Sequence, residues 1–191
     1  MTVPFDKLAE LEGLLNPGIG EALAGLAGAV PEDLAVVEVG SFKGKSTAYL
    51  AAGAKDGAGA HVWAVDPWDL PGNVYGKHGY NAPVVRETFE RQLRSLRLWA
   101  RVTAVRSFSA DAAAAWDGPP IGLLFIDGDH TERAVRADLA AWSPHLAPSH
   151  VVAFDDYDTK RNPGVKAVVD GLTSGYTVTV AADHLAVCTS R

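Results

Sequence analysis

Apolar positions along the chain fall into two rhythms. Short, nearly continuous apolar runs recur at residues 34–39, 61–65, 121–126 and 151–154, and a weaker one at 101–106. Runs of this length, bounded by Gly, Pro and Asp, predict strands buried on both faces, the mark of a parallel sheet. Between them the apolar residues recur every three or four positions. That spacing predicts helices over 46–54, 84–98, 132–142 and 162–172. Before the first strand, Phe5, Leu8, Leu11, Leu14 and Leu15 predict an amphipathic helix stopped by Asn16-Pro17-Gly18, with a second short helix over 19–30. Residues 177–180 and 185–188 flank Ala181-Ala182-Asp183-His184 and predict a closing hairpin. Seven strands, with helices between the early ones and a hairpin at the end, predict an α/β fold: a mostly parallel sheet with one antiparallel strand and helices on both faces.

The polar residues that interrupt this pattern sit at strand ends. The run ending in Ile126 delivers Asp127-Gly128-Asp129-His130, and the run ending in Phe154 delivers Asp155-Asp156-Tyr157-Asp158. One predicted helix separates them. Open α/β sheets bind ligands at the carboxyl ends of their strands. Carboxylates gathered there repel one another, so the cluster asks for a cation or serves proton transfer.

Composition narrows the classes. A chain of 191 residues, 48% hydrophobic and 21% charged, is large and apolar enough for one well-cored domain spanning 1–191. The net charge of −6 argues against nucleic acid or an anionic membrane as partner. Arg86, Arg91, Arg94, Arg97 and Arg101 alternate with apolar residues and read as the solvated face of a helix. Cys188 is the only cysteine, which rules out an intrachain disulfide and fits a reducing, cytoplasmic setting. The start, Met1-Thr2-Val3-Pro4-Phe5-Asp6-Lys7, lacks a basic and apolar leader pattern, and no apolar run is long enough to cross a bilayer.

The first strand runs into Gly40-Ser41-Phe42-Lys43-Gly44-Lys45-Ser46 and then a helix, a turn that offers free backbone N–H groups to a polar ligand. A Walker A loop needs four residues between its first glycine and Gly-Lys-Ser; Gly40 and Gly44 leave three. The dinucleotide fingerprint fails because Phe42 stands where its second glycine belongs. What is left, Glu38-x-Gly40-x-x-x-Gly44-x-Ser46, resembles motif I of the class I S-adenosylmethionine (SAM)-dependent methyltransferases. The resemblance implies their Rossmann-like seven-stranded sheet and a SAM site at Glu38, Gly40, Ser41, Gly44 and Ser46. Asp66, about 20 residues on at the end of the second strand, matches the acid that takes the ribose hydroxyls. Phe108 and Ser109, after the third strand, fall on the adenine side, with Ser109 or Asp111 expected as a helix N-cap. Residues 1–32 are expected to form a helical cap. The Gly/Pro/aromatic stretch 67–83 reads as a lid loop, with Trp68, Tyr75, His78 and Tyr80 as one wall of an acceptor pocket.

Phe125-Ile126-Asp127-Gly128-Asp129-His130, Phe154-Asp155-Asp156-Tyr157 and Pro163-Gly164-Val165 together resemble a narrower group. These are the metal-dependent O-methyltransferases of macrolide sugars, aminocoumarin sugars and mycobacterial methylmannosides. The resemblance implies Mg²⁺, or another divalent cation, on Asp127, Asp155 and Asp156, with Asp127 also edging the SAM site. His130 matches the general base of one branch and Asp129 that of another, so both stay candidates. The implied reaction moves a methyl group from SAM to a hydroxyl of a small-molecule acceptor, a sugar or glycoside diol, and the implied assembly is a homodimer. A catechol-type O-methyltransferase and a non-catalytic SAM-binding subunit are the competing readings.

Overall fold

The computed structural model describes residues 2–172 and 174–191; Met1, the first residue of the expected cap, and Thr173 lie outside them. Seven strands form one sheet: β1 (Ala35–Val39), β2 (His61–Asp66), β3 (Val102–Arg106), β4 (Ile121–Ile126), β5 (Leu146–Phe154), β6 (Tyr176–Ala182) and β7 (Leu185–Ser190). Their order is β3-β2-β1-β4-β5-β7-β6. β7 runs antiparallel to both of its neighbours and the other pairings are parallel. The expected α/β sheet with one antiparallel strand is borne out.

Among the described residues seven α-helices cover the sheet: α1 (Phe5–Ala9), α2 (Pro17–Gly28), α3 (Lys45–Asp56), α4 (Ala82–Ser95), α5 (Ser109–Ala114), α6 (Glu132–Trp142) and α7 (Pro163–Val169). Alternation along the buried strands divides the core into two layers. Val36, Val62, Leu123 and Phe125 face Leu23, Leu50, Phe89 and Leu93 from α2, α3 and α4. Val37, Val39, Leu124 and Phe154 face Val135, Trp142, Val165 and Val168 from α6 and α7. β1 and β4 are buried at every position because helices lie on both of their faces.

Two boundaries differ most from the periodic reading. The first helix stops at Ala9 rather than continuing to Leu15. Residues 10–15 turn away so that the Glu12 backbone can bond to Gln92, and Leu14 is left 81% exposed. β5 begins at Leu146, five residues before the apolar run, because Leu146 also pairs with Ile121 of β4; residues 147–150 bulge out before the register resumes at Leu123 and Val151.

Candidate active site at the carboxyl ends of the strands

Strand register assembles the site. Val39 pairs with Val65 on one side and with Ile126 on the other, and Ile126 pairs with Phe154. The residues that follow, Gly40, Asp66, Asp127 and Asp155, therefore emerge at one level of the sheet edge. The backbone ladder continues one step past the strands: Asp127 N donates to Val39 O at 2.8 Å and Asp155 N to Ile126 O at 3.2 Å. β1 and β4 are neighbours where the winding reverses, the crevice in which open α/β sheets hold ligands.

A cavity of about 1640 Å³ opens there. Pockets for one small ligand run to about 1,000 Å³, so this one has room for two molecules side by side. Gly40, Ser41, Ser46, Asp66, Phe108 and Ser109 line it toward β2 and β3, and Asp127, Asp129, His130, Asp155 and Asp156 toward β5. Glu38 and Gly44 lie behind the lining. Glu38 is fully buried under α3, accepts a 2.5 Å hydrogen bond from Thr47 Oγ1, and leaves its Oε1 without a partner. Burial pushes its carboxyl up to about 7.

Gly40 is required for two reasons. Its φ is +91°, and a Cβ there would fall 2.2 Å from the Asp127 carbonyl oxygen. The close approach it permits is to the backbone leaving β4. Gly164 serves the other wall. A Cβ on it would meet Glu132 N at 2.3 Å, so only glycine lets the start of α7 sit on the turn that carries His130.

Asp66 is 2% exposed and saturated with donors. Its Oδ2 accepts from Ser41 N at 3.1 Å, Phe42 N at 2.9 Å and the Tyr75 hydroxyl at 2.6 Å, and its Oδ1 accepts from Trp68 N at 2.6 Å. It thereby shapes the glycine turn. Trp68 corrects the expected aromatic wall. It is 1% exposed, its ring packs 4.7 Å from Phe89, and its Nε1 donates to Phe42 O at 2.9 Å. It is a core residue because the chain doubles back after β2 and drops the indole under α4. Tyr75, His78 and Tyr80 do line the cavity. The expected N-cap also moves: Phe108 caps α5, without a side-chain bond, and Ser109 Oγ accepts from Trp142 Nε1 at 3.0 Å.

His130 stands between two acids. Its Nε2 is 3.3 Å from Asp127 Oδ1 and its Nδ1 is 3.4 Å from Asp156 Oδ2. Asp129 is exposed, and its Oδ1 accepts from Thr131 N at 2.8 Å in a local turn ahead of α6. Asp156 takes a left-handed φ of +57° and accepts from the Asn162 amide. Burial, then the charge of Asp127 and Asp156, pushes Asp155 up to about 8. Burial first, then Glu38 and Asp156, raises Asp127 well above the ordinary carboxylate range. Asp155 Oδ1 is buried without a hydrogen-bond partner. These are hard oxygen donors short of positive charge, the donor chemistry of a Mg²⁺ seat. Among the described residues, however, no three acidic, histidine or cysteine side chains stand together at metal-holding spacing.

Three residues of the site carry no sequence signal. Gln92, in mid-α4, accepts from Glu12 N at 2.7 Å and donates to Glu12 O at 3.1 Å and Lys43 O at 2.7 Å. It clamps residues 10–15 to the glycine turn, and Gly13, Leu14 and Leu15 then line the cavity. Lys45 lines the same end at 9% exposure, its Nζ 2.8 Å from Ala9 O. Asp138 lines the cavity from α6, and burial raises its carboxyl.

The comparisons with known proteins accord with this geometry. The chain spans 13% of one curated relative that it matches, the uncharacterized protein y4gI of Sinorhizobium fredii, at 28% identity over 130 residues, 66% of this chain. Cofactor-bound Rv0187 from MTB superposes with a TM-score of 0.68 at 22% identity, over 98% of this chain and 86% of that one. CalS11, a TDP-rhamnose 3'-O-methyltransferase of calicheamicin biosynthesis, gives 0.64 at 19% identity, over 90% and 76%. An O-methyltransferase from Bacillus cereus in complex with SAH gives 0.66 at 16% identity, over 98% and 90%. These likenesses show the class I methyltransferase fold. A family profile matches residues 37–157, from β1 through the acids after β5, and with more than half of its length so matched the chain belongs to the methyltransferase domain family.

Proposed function

We propose that this domain is a SAM-dependent O-methyltransferase that acts, with a divalent cation such as Mg²⁺, on a hydroxyl of a saccharide or glycosylated natural product. The observation that carries the reading is the meeting of two half-sites in one cavity. The glycine turn with Asp66 lies at one end, and Asp127, Asp155, Asp156 and His130 lie at the other. The fold shared with the sugar O-methyltransferase CalS11 supports the choice of acceptor.

In this reading the donor lies along the ends of β1 and β2, with its ribose at Asp66 and its adenine between Phe108 and Ser109. Asp127, Asp155 and Asp156 would hold the cation, which when bound supplies Lewis-acid charge that orients a diol and lowers the pKa of one hydroxyl. His130 is the base we favour over Asp129. Its ring lies among the acids, whereas the Asp129 carboxylate is committed to a local turn. An imidazole nitrogen of His130 takes the hydroxyl proton as the acceptor oxygen forms its bond to the methyl carbon and the sulfonium carbon–sulfur bond breaks. The walls around the two ligands hold them in line, and that orientation supplies much of the rate. We assign the capping role expected of 1–32 to residues 13–15, and the lid role to the Tyr75–Tyr80 part of the loop.

The test is isothermal titration with SAM, followed by methyl transfer to a panel of sugar diols and catechols with Mg²⁺ and with chelator. SAM binding and chelator-sensitive transfer to a sugar diol are expected. Absence of SAM binding sinks the reading; transfer to catechols alone moves it to the catechol-type enzymes.

A further inference from the structure

We infer, on the donor reading above, that Lys45 holds the carboxylate at the methionine end of SAM, in an anion pocket completed by the start of α3 and the Ser41 hydroxyl.

Lys45 is an unusual lysine. Its side chain is almost wholly buried, yet it is in none of the ion pairs among the described residues. Lys43, two positions earlier and more exposed, has Glu12 at 2.9 Å. A buried ammonium carries three N–H donors, and Lys45 spends one of them on Ala9 O. Burial without a counter-ion pulls its pKa down, which agrees with a charge waiting for an anion.

Two further features converge on the same corner of the cavity. Lys45 is the first residue of α3, a 12-residue helix whose N-cap, Gly44, offers no side-chain acceptor to the first-turn N–H groups. Those groups and the helix dipole favour a negative charge. Ser41 lines the cavity and is only 1% exposed; its Oγ, close to the Glu38 carboxylate, makes no hydrogen bond of full geometry. The donors gathered here are an ammonium, a hydroxyl and backbone N–H groups. The rest of the cavity is rich in acids, with Asp66, Asp127, Asp155 and Asp156 on its walls. SAM carries one anionic group, its α-carboxylate, and two cationic ones, its amine and its sulfonium. Of the other cations on the lining, Lys43 is paired with Glu12 and Arg161 is exposed, so the buried basic corner at Lys45 sets the direction in which such a molecule lies: carboxylate at Lys45, ribose at Asp66.

Lys45 also ties the end of α1 to the turn through Ala9, so loss of the side chain by itself does not separate holding the ligand from holding the fold. The ligand does. Decarboxylated SAM keeps the nucleoside, the sulfonium and the amine and lacks only the carboxylate. Titration calorimetry of both compounds on the wild type, K45M and K45R gives the ratio of the two affinities for each protein. The wild type is expected to prefer SAM about 10- to 100-fold, the size of one hydrogen bond to a charged group. K45R should keep most of that preference, and K45M should bind the two compounds within about threefold of each other. If K45M loses its melting transition, K45Q, which keeps a donor for Ala9, carries the same comparison. A wild-type preference that survives in K45M or K45Q overturns the inference, as does a wild type that binds both compounds equally well. A wild type that binds neither compound overturns the donor reading itself.

Discussion

The Tyr75 hydroxyl donates a 2.6 Å hydrogen bond to Asp66 Oδ2, the carboxylate that the donor reading gives to the ribose. The same oxygen takes two backbone N–H groups from the glycine turn, so Tyr75 supplies the bond that a ribose hydroxyl can replace without unmaking the turn. Tyr75→Phe removes that competitor. SAM affinity is expected to hold or rise by about 2- to 10-fold, the net worth of one hydrogen bond. Asp66→Ala should lose binding altogether, since it also leaves the turn's N–H groups unpaired. Calorimetry on both variants checks this, and a tenfold loss in Tyr75→Phe would give Tyr75 a direct part in holding the donor.

Glu38 makes stability depend on pH. Its carboxyl is pushed up to about 7 from an ordinary value of 4.5 by burial. The folded chain thus keeps a proton that the unfolded chain releases above 4.5. Stability from this group is highest below 4.5, falls as pH rises to about 7, and is level above that. The full drop is at most about 3–4 kcal/mol, at 1.36 kcal/mol per pKa unit. Glu38→Gln keeps an acceptor for Thr47 and should flatten the fall. Urea unfolding between pH 5 and 8 measures it, and an unchanged slope in the variant would locate the effect elsewhere.

Asp155→Asn separates stability from function. Asp155 is one of three mutually repelling acids and has a buried oxygen without a partner. Without added metal the variant is expected to melt higher than the wild type, by the equivalent of about 1 kcal/mol. It should also lose any Mg²⁺-dependent rise in melting temperature and bind SAM as before. A lower melting temperature in metal-free buffer would mean that the carboxylate is already satisfied.

His130→Ala should leave SAM binding intact and lower turnover about 10²- to 10⁴-fold, the usual worth of a general base. Asp129→Ala removes only the bond to Thr131 N and should cost far less. Single-turnover methyl transfer at saturating SAM compares the two. A larger loss in Asp129→Ala would move the base to that residue.

Two glycines bound the tolerance of the fold. Gly40→Ala puts a methyl group 2.2 Å from a carbonyl oxygen at a positive φ and is expected to cost at least about 3 kcal/mol. Gly25, exposed in mid-α2 with nothing within 4 Å of a new Cβ, should gain about 0.5–1 kcal/mol as alanine. Urea unfolding of both variants is the measurement.

The strands, their class and the acids at their ends are legible in the amino-acid order. Continuous runs such as 121–126 can only be buried between layers, and a residue such as Asp127 that follows such a run must emerge at the sheet edge. Gly40, Asp66, Asp127 and Asp155 were therefore legible, because strand register levels the ends of neighbouring strands whatever lies between them. The turn glycines were legible for a related reason, since a strand–turn–helix junction restricts the residue types it accepts.

Which side chains from separate elements meet is settled by packing. Trp68 reads as a loop aromatic and is a core residue; Gln92 reads as a surface glutamine and clamps the glycine turn. Lys45 reads as one more charge in a Gly-Lys-Ser turn and is buried without an acid. Periodicity records which face of an element is covered, but not what covers it. The covering element comes from distant sequence, and the desolvation and hydrogen bonds it imposes exist only once both are packed.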